Sequence, residues 1–276
     1  MPSRILIKTT IPHTDDDWNI GRFSLLAGEL RDAGHQVTAR DRDPDAQGND
    51  RDLAELDKYD QLWLLAVDVG NGLTDADAEA VRHFHERGGG LYLTRDHQDL
   101  GSSLLKLGTI GTTHCFHSVN AEPDPERHRR DDTGTMAISW PNYHSGENGD
   151  VQLVKAREPV HPVAKGLEML PAHPHEGAVK VPGELADHAR IILTGRSTLT
   201  EREFPIAVAV EAQDGAGPII ADSSFHHIAD YNWNPAAGCP SFVTEPCGNS
   251  VIEDERAAKE VRRYAGNIAD WLGTAV

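Results

Sequence analysis

The chain is poor in cysteine, aromatic residues and basic charge, and each shortage narrows what it can be. Its 276 residues include only Cys115, Cys239 and Cys247. Three cysteines are too few for a disulfide framework, and the odd number leaves at least one thiol free. Cys239 and Cys247 flank a loop that a disulfide could close, although a cytosolic setting disfavours the bond. No segment approaches the run of about 20 apolar residues that spans a bilayer, so no membrane role is expected. The start, Met1-Pro2-Ser3-Arg4-Ile5-Leu6-Ile7, leads straight into a strand without a secretory signal. The expected setting is soluble and cytoplasmic.

Lys and Arg number 26 against 44 Asp and Glu, a formal charge of -18. Such a chain repels phosphate backbones, so nucleic acid is excluded as a partner. A neutral or cationic small-molecule substrate, or a metal, fits the charge. Three motifs are also missing. Neither Gly-x-Gly-x-x-Gly after the first strand nor Gly-x-x-x-x-Gly-Lys-Ser/Thr occurs, which leaves dinucleotide and nucleoside triphosphate binding without support. No Gly-x-Ser-x-Gly elbow marks a serine hydrolase, and Ser102 and Ser103 lack that context.

What is present is a globular composition, 38% hydrophobic, with 15 histidines. The first third alternates strands and helices, the pattern of a parallel sheet covered on both faces. Strands are expected at 4–9, 36–40, 61–67 and 90–94. Between them, Ile20, Phe23, Leu26, Ala27 and Leu30 recur at helical spacing and Gly34 ends the helix. Thr74 caps a second helix with Asp77 three residues on. Later strands are expected at 190–194, 206–210 and 218–222. An amphipathic helix from about Glu253 to Leu272 closes the chain, with Ala257, Val261, Tyr264, Ile268 and Trp271 on one face. The expected architecture is α/β: a flavodoxin-like, doubly wound parallel sheet in a single domain spanning 1–276. Residues 109–180, rich in His, Pro and Gly, form a loop-rich inserted cap. No apolar surface stands out as an interface, and a homo-oligomer is left open.

The stretch Gly88-Gly89-Gly90-Leu91-Tyr92-Leu93-Thr94-Arg95-Asp96-His97-Gln98-Asp99 joins a glycine turn, an apolar strand and a polar elbow. An elbow at the carboxyl end of a strand lifts side chains into the crevice where open α/β sheets bind ligands. Here it presents Asp96, His97 and Asp99. Together with three further segments, it resembles the class I glutamine amidotransferase-like superfamily and is most similar to trehalose-utilisation, ThuA-like proteins. These segments are the helix-turn-strand from Leu73 to Leu93, His161-Pro162-Val163-Ala164-Lys165-Gly166-Leu167, and the late strand ending in Phe225-His226. The resemblance covers most of 4–110 and 158–230. Amidotransferases carry a cysteine nucleophile at the elbow, where this chain has Arg95-Asp96-His97, so thiolate hydrolysis of glutamine is not supported. The resemblance implies a histidine at the elbow, which His97 matches.

It also implies that His97, with Asp96 or Asp99, meets His226 or His227 at neighbouring strand ends. Two imidazoles and a carboxylate would hold a divalent metal, zinc being the candidate, and leave a position open for water. His114 is a further candidate ligand, joined by His117 only if the segment is helical; Cys115 between them could be a thiolate ligand or nucleophile, but a small buried core residue is its more frequent fate. Adjacent histidines on an extended chain point apart, so one of His226 and His227 enters the site, with Asp230 as its orienting partner. Tyr231 and Trp233 are candidate stacking walls for substrate, and His13 and Trp18, on the rim after the first strand, are candidate substrate contacts. His144, His173 and His175 lie where a lid is expected. The expected function is metal-assisted hydrolysis of a small polar molecule, a sugar derivative or an amide, with Asp96, His97 and His226 as the catalytic group. The alternatives are a metal-free acid/base enzyme, an isomerase or lyase, at the same site, and a non-catalytic ligand-binding module of the same fold.

Overall fold

Alternation of side chains along each strand settles how the sheet is covered. In β1 (Arg4–Thr9) Ile5 and Ile7 face one way and Leu6 the other, and all three are buried. The computed structural model describes residues 2–128, 130, 131 and 135–275. In it β1 is followed by α1 (Ser24–Asp32), β2 (Gln36–Arg40), β3 (Gln61–Leu65), α2 (Asp75–Glu86) and β4 (Gly90–Thr94). The segment that follows contributes short strands: β5 (His114–Cys115), β6 (Val151–Leu153), β7 (Lys155–Ala156), β8 (Met169–Pro171) and β9 (Ala178–Val179). The chain then returns through β10 (Ala189–Arg196), β11 (Glu203–Val210) and β12 (Ile219–Asp222) to α3 (Asp230–Trp233), α4 (Ser250–Glu253) and α5 (Glu255–Leu272).

One eight-stranded sheet runs in the order β2-β1-β3-β4-β12-β11-β10-β7. Its first five strands are parallel and carry the doubly wound order expected from the sequence. The rest differs: β11, β10 and β7 pair antiparallel, so the sheet is mixed. The β10–β11 hairpin needs no crossover helix, and β7, from within 109–180, covers the outer edge of β10 instead of joining the cap. Elsewhere in that segment β5 pairs with β9 and β6 with β8, as two small sheets.

On one face Ile5, Ile7, Trp63, Leu65 and Tyr92 pack with Leu26 and Leu30 of α1 and Val261 and Ile268 of α5. On the other, Leu6, Leu62, Leu64, Leu91 and Leu93 meet Ala78, Val81 and Phe84 of α2. The helix ends follow local chemistry. Thr74 Oγ1 accepts from Asp77 N at 3.1 Å and Asp77 returns a bond from Thr74 N at 2.9 Å, a capping box. Gly88 leaves α2 at φ +99°, a conformation open to glycine. Asp254 caps α5 by accepting from Arg256 N and Ala257 N. Among the described residues no helix is long and apolar enough to cross a membrane.

A buried ionic cluster joins sheet, α5 and cap. His227 places Nδ1 2.7 Å from Asp222 Oδ1 and Nε2 3.1 Å from Glu176 Oε1, with all three side chains out of solvent. Asp222 Oδ2 accepts from Tyr92 Oη of β4 at 2.8 Å and from Tyr264 Oη of α5 at 2.7 Å. Glu176 accepts from Ser145 Oγ and Ser223 Oγ, both at 3.0 Å, and from Gln152. Burial alone would lower the His227 pKa, but the two carboxylates outweigh it and push it up to about 10. His227 is therefore an imidazolium at neutral pH. Because its folded pKa lies above the unfolded value, its stabilisation is complete below about pH 6.5. It is lost as pH rises through about 10. His227→Gln should cost about 3–5 kcal/mol at pH 6, since two buried carboxylates lose their counter-charge. Denaturant melts should show the gap between wild type and variant narrowing towards pH 10; a gap that stayed constant would mean that the ring is neutral in the fold.

Candidate functional site

The carboxyl ends of β1, β3, β4 and β12 open on one cleft of about 500 Å³, whose lining includes Trp18, Val67, Asp96, His97, His173 and His226. This is the crevice expected of an open α/β sheet. The elbow after β4 sets two of these side chains. Arg95 turns inward, fully buried, with its guanidinium 4.4 Å above the Phe116 ring and one nitrogen donating to Gln98 O. Its stem fills the space where a side chain at Gly177 would stand, 2.6 Å from a Cβ built there. Gln98 takes φ 51°, a left-handed conformation uncommon outside glycine, and turns the chain so that Leu100 N donates to His97 O. Asp96 and His97 consequently face the cleft. Asp99 does not: it accepts from Ser118 N and Ser118 Oγ at 2.9 and 2.8 Å.

The turn after β12 places the second group. Ser224 Oγ accepts from His226 N and starts a single helical turn over Phe225–His227. The turn sends His226 to the cleft and His227 into the ionic cluster. Asn232 then decides which nitrogen of His226 carries the proton. Its amide donates to Asn148 Oδ1 at 2.9 Å and Ala172 O at 3.1 Å, which leaves Oδ1 to accept from His226 Nδ1 at 2.9 Å. His226 Nε2 is thus bare, and it faces Asp96 Oδ2 at 4.0 Å, too far for a hydrogen bond. Trp18 and Phe225 hold the ring, with centroids 4.8 and 4.3 Å away.

A strap from the cap brings His173 and His175. His173 stacks on His226 at 3.6 Å between ring centroids, and His175 sits edge-on to His97 at 5.2 Å. His173 Nδ1 accepts from His175 N at 3.1 Å, so in the neutral ring the proton lies on Nε2. Asp96, His173 and His226 offer donor atoms within 4.8 Å of one another and are the residues that could hold a metal. Asp96 and His226 present lone pairs. His173 would first have to release the bond from His175 N. Burial lowers the His226 pKa to about 4 against the pull of Asp96. Burial also drives His173 well below the usual imidazole value, helped by His226, His175 and His97. For Asp96 burial acts upward, yet His97 and His226 hold the carboxyl below its ordinary range. At neutral pH the cleft therefore sets a carboxylate against an unprotonated imidazole nitrogen, with a neighbouring ring able to donate.

Several residues singled out in the sequence lie elsewhere. His114, expected as a metal ligand, is fully buried in β5 with Nδ1 3.1 Å from Thr113 Oγ1; burial and nearby Arg95 lower its pKa to about 3. It is not brought to Asp96 and His226. His13 stands exposed, 2.8 Å from Asp41 and 3.2 Å from Asp15, outside the cleft. Tyr231 and Trp233 do not wall the cleft, because all four residues of α3 are buried and Trp233 Nε1 donates to His227 O. Asp230, expected to orient a histidine, instead caps α1 by accepting from Ser24 N and Leu25 N at 2.9 Å. His97 lines the cleft, 3.2 Å from Asp96 through Nδ1, but lies outside the group of three. His144 bonds Thr198 Oγ1. Burial pushes the Cys115 thiol up to about 11, and all three cysteines are free. The sequence places His173 only where a lid is expected and does not mark Asn232. The His173-Pro174-His175-Glu176 run was the available signal for the first; for the second there was none.

No protein-family model matches the chain, and no curated protein matches it. Solved structures do. A ThuA-like protein from Parabacteroides merdae superposes with a TM-score of 0.53 at 16% identity, over 99% of this chain and 91% of that one. A cytoplasmic protein from Salmonella typhimurium LT2 gives 0.54 at 10% identity, over 96% and 99%. The N-terminal domain of mmIFT52 gives 0.53 at 11%, over 98% and 97%. At these identities the likeness is one of fold: the chain shares the α/β fold of a ThuA-like protein.

Proposed function

We propose that the cleft is the active site of a cytoplasmic hydrolase for a small polar molecule, a sugar derivative or an amide, and that Asp96 and His226 hold a divalent metal there, zinc being the best candidate. One observation carries this reading: the bare Nε2 of His226 faces an ionised carboxylate across 4.0 Å. Two acceptors so placed repel unless something positive lies between them. An imidazole whose other nitrogen donates to a fixed amide oxygen is the usual form of a metal-binding histidine. When bound, zinc would supply a water whose pKa falls towards about 7. The chain's own residues do the remainder. Asn232 fixes the ring of His226, Trp18 and Phe225 exclude water from one side of it, and His97, beside Asp96, moves a proton. His173 Nε2–H donates to the substrate.

The tautomer of His173 favours a second reading. As an N–H donor it completes a metal-free set in which His226 acts as base, Asp96 orients the reacting group and His173 stabilises developing negative charge. Hydrolysis, isomerisation and elimination are all open to such a set.

Elemental analysis of untagged protein reconstituted with zinc separates the two. Stoichiometric zinc is expected in the wild type and in His114→Ala, and none in Asp96→Asn or His226→Ala. A wild type without metal that still turns over a sugar ester or amide would replace the first reading by the second. Neither metal nor turnover would leave a binding module.

Asn232→Leu removes the acceptor from His226 Nδ1 and should lower zinc affinity by about 10–100-fold with the thermal melt little changed. An unchanged affinity would show that Asn232 does not position the ring. Protonation of His226 near pH 4 sets the acid limit. Zinc uptake should hold from pH 7 down to about 5, whereas loss centred near 6.5 would be that of an ordinary exposed imidazole.

A further inference from the structure

Two exposed apolar side chains, Val69 and Phe242, stand in the lining of the cleft, and nothing in the hydrolytic reading uses them. After β3 the chain runs Val67-Asp68-Val69-Gly70. Asp68, the residue suited to water, is 1% exposed, whereas Val69 is 75% exposed. Hydrogen bonds enforce this inversion. Asp68 Oδ1 accepts from Gly70 N and Oδ2 from Ser103 Oγ, both at 2.8 Å, and its carbonyl oxygen accepts from Gly101 N at 2.6 Å. Thr10 Oγ1 accepts from Val67 N at 3.0 Å. With the carboxylate drawn inward, the valines on either side of it both line the cleft. A second loop repeats the pattern. Ser241 donates from N and Oγ to Asp16, two residues before Trp18, and Val243 N donates to Pro240 O at 3.0 Å in a turn. Phe242 between them is 57% exposed, while Val243 packs against the core that includes Trp18, Val67 and Phe225. Single apolar residues on a surface need no explanation, but these six converge on one concave site. The surface reaches the reactive groups, since Trp18 and Phe225 contact the His226 ring.

From this we infer that the molecule hydrolysed at Asp96 and His226 carries an alkyl chain or an aromatic ring next to the bond that breaks, and that this group lies against Val67, Val69 and Phe242. The inference rests on the hydrolytic reading for the place of reaction and narrows its substrate to acylated or arylated polar molecules. An unsubstituted sugar would turn hydroxyls towards valine and phenylalanine, which offer them no partner. An apolar group instead takes out of water both its own surface and that of Val69 and Phe242. The cleft, at about 500 Å³, has the size of a site for a small molecule bearing such a group.

The test measures binding of hydroxamates to the full chain reconstituted with zinc. Hexanohydroxamate and benzohydroxamate should bind at least about 10-fold tighter than acetohydroxamate, because each methylene taken from water contributes up to about fourfold. Val69→Ser combined with Phe242→Ser, both at exposed positions, should remove most of that preference. Equal affinity for the three in the wild type, or a preference that survives the double substitution, would overturn the inference and leave the metal in place. Binding of none of them would count against the metal, and the apolar group is then read with hexanamide and acetamide on the metal-free protein. Saturation transfer from the methyls of Val67 and Val69 to the hexanamide chain is expected there, and its absence would overturn the inference. Self-association of the wild type that the double substitution abolishes, without any preference among tails, would overturn it too and give the surface to a second copy of the chain.

Discussion

The imidazolium of His227, held between Asp222 and Glu176, is the contact through which the separate parts of the molecule share one geometry. Asp222 ends β12, Glu176 belongs to the strap that carries His173 and His175, and the tyrosines that complete the Asp222 shell come from β4 and α5. Charges this deeply buried are tolerated only when every lone pair finds a partner. Ser145, Gln152, Ser223, Tyr92 and Tyr264 supply those partners. Since the strap cannot shift without exposing an unpaired carboxylate, the stacked His173–His226 pair inherits its position from charges on the far side of the same turn. Stability and site geometry are here two consequences of one cluster.

Adjacent histidines with opposite protonation follow from this arrangement. His226 and His227 are both nearly out of solvent, and burial presses both towards the neutral form. The difference lies in their partners. His227 has a carboxylate on each nitrogen. His226 has a neutral amide on one and an open gap to Asp96 on the other. The charged ring is tied into the fold on both nitrogens, and the neutral one keeps a free lone pair on Nε2. Among the described residues the lining of the cleft adds Asp17 and Glu245 and includes no Lys or Arg. The guanidinium of Arg95, next to Asp96 in the chain, is folded inward onto Phe116. The acidic side chains of this lining agree with the overall excess of acid.

The regular part of the fold was legible because each of its elements carries its own signal. The capping box at Thr74, the glycines ending two helices and the apolar strands at 61–65 and 90–94 act over a few residues and need no distant partner. The order of β10, β11 and β7 was less legible, since antiparallel pairing with a strand from inside the cap depends on contacts far apart in sequence. At the site, the elbow and the turn after β12 could be read from strand-end position and residue type. That His114 would miss the cleft could not, because it depends on β5 pairing with β9, two residues against two. Asn232 was invisible for a different reason: an amide orients a ring only once the amide's own partners, Asn148 and Ala172, are in place.

The resemblance read from the sequence puts a cysteine at the elbow of amidotransferases; here Asp96 faces the cleft, and the residue before it, Arg95, turns away from it. A thiol needs an adjacent base to ionise it, whereas His97 and His226 already hold the carboxyl of Asp96 in its ionised form. Asp96 can therefore bind or orient at neutral pH with no proton to lose first, while the stacked His173 supplies the donor that a carboxylate lacks. The strand ends and the strap thus bring together a carboxylate, a bare imidazole nitrogen and a stacked ring with a proton to give.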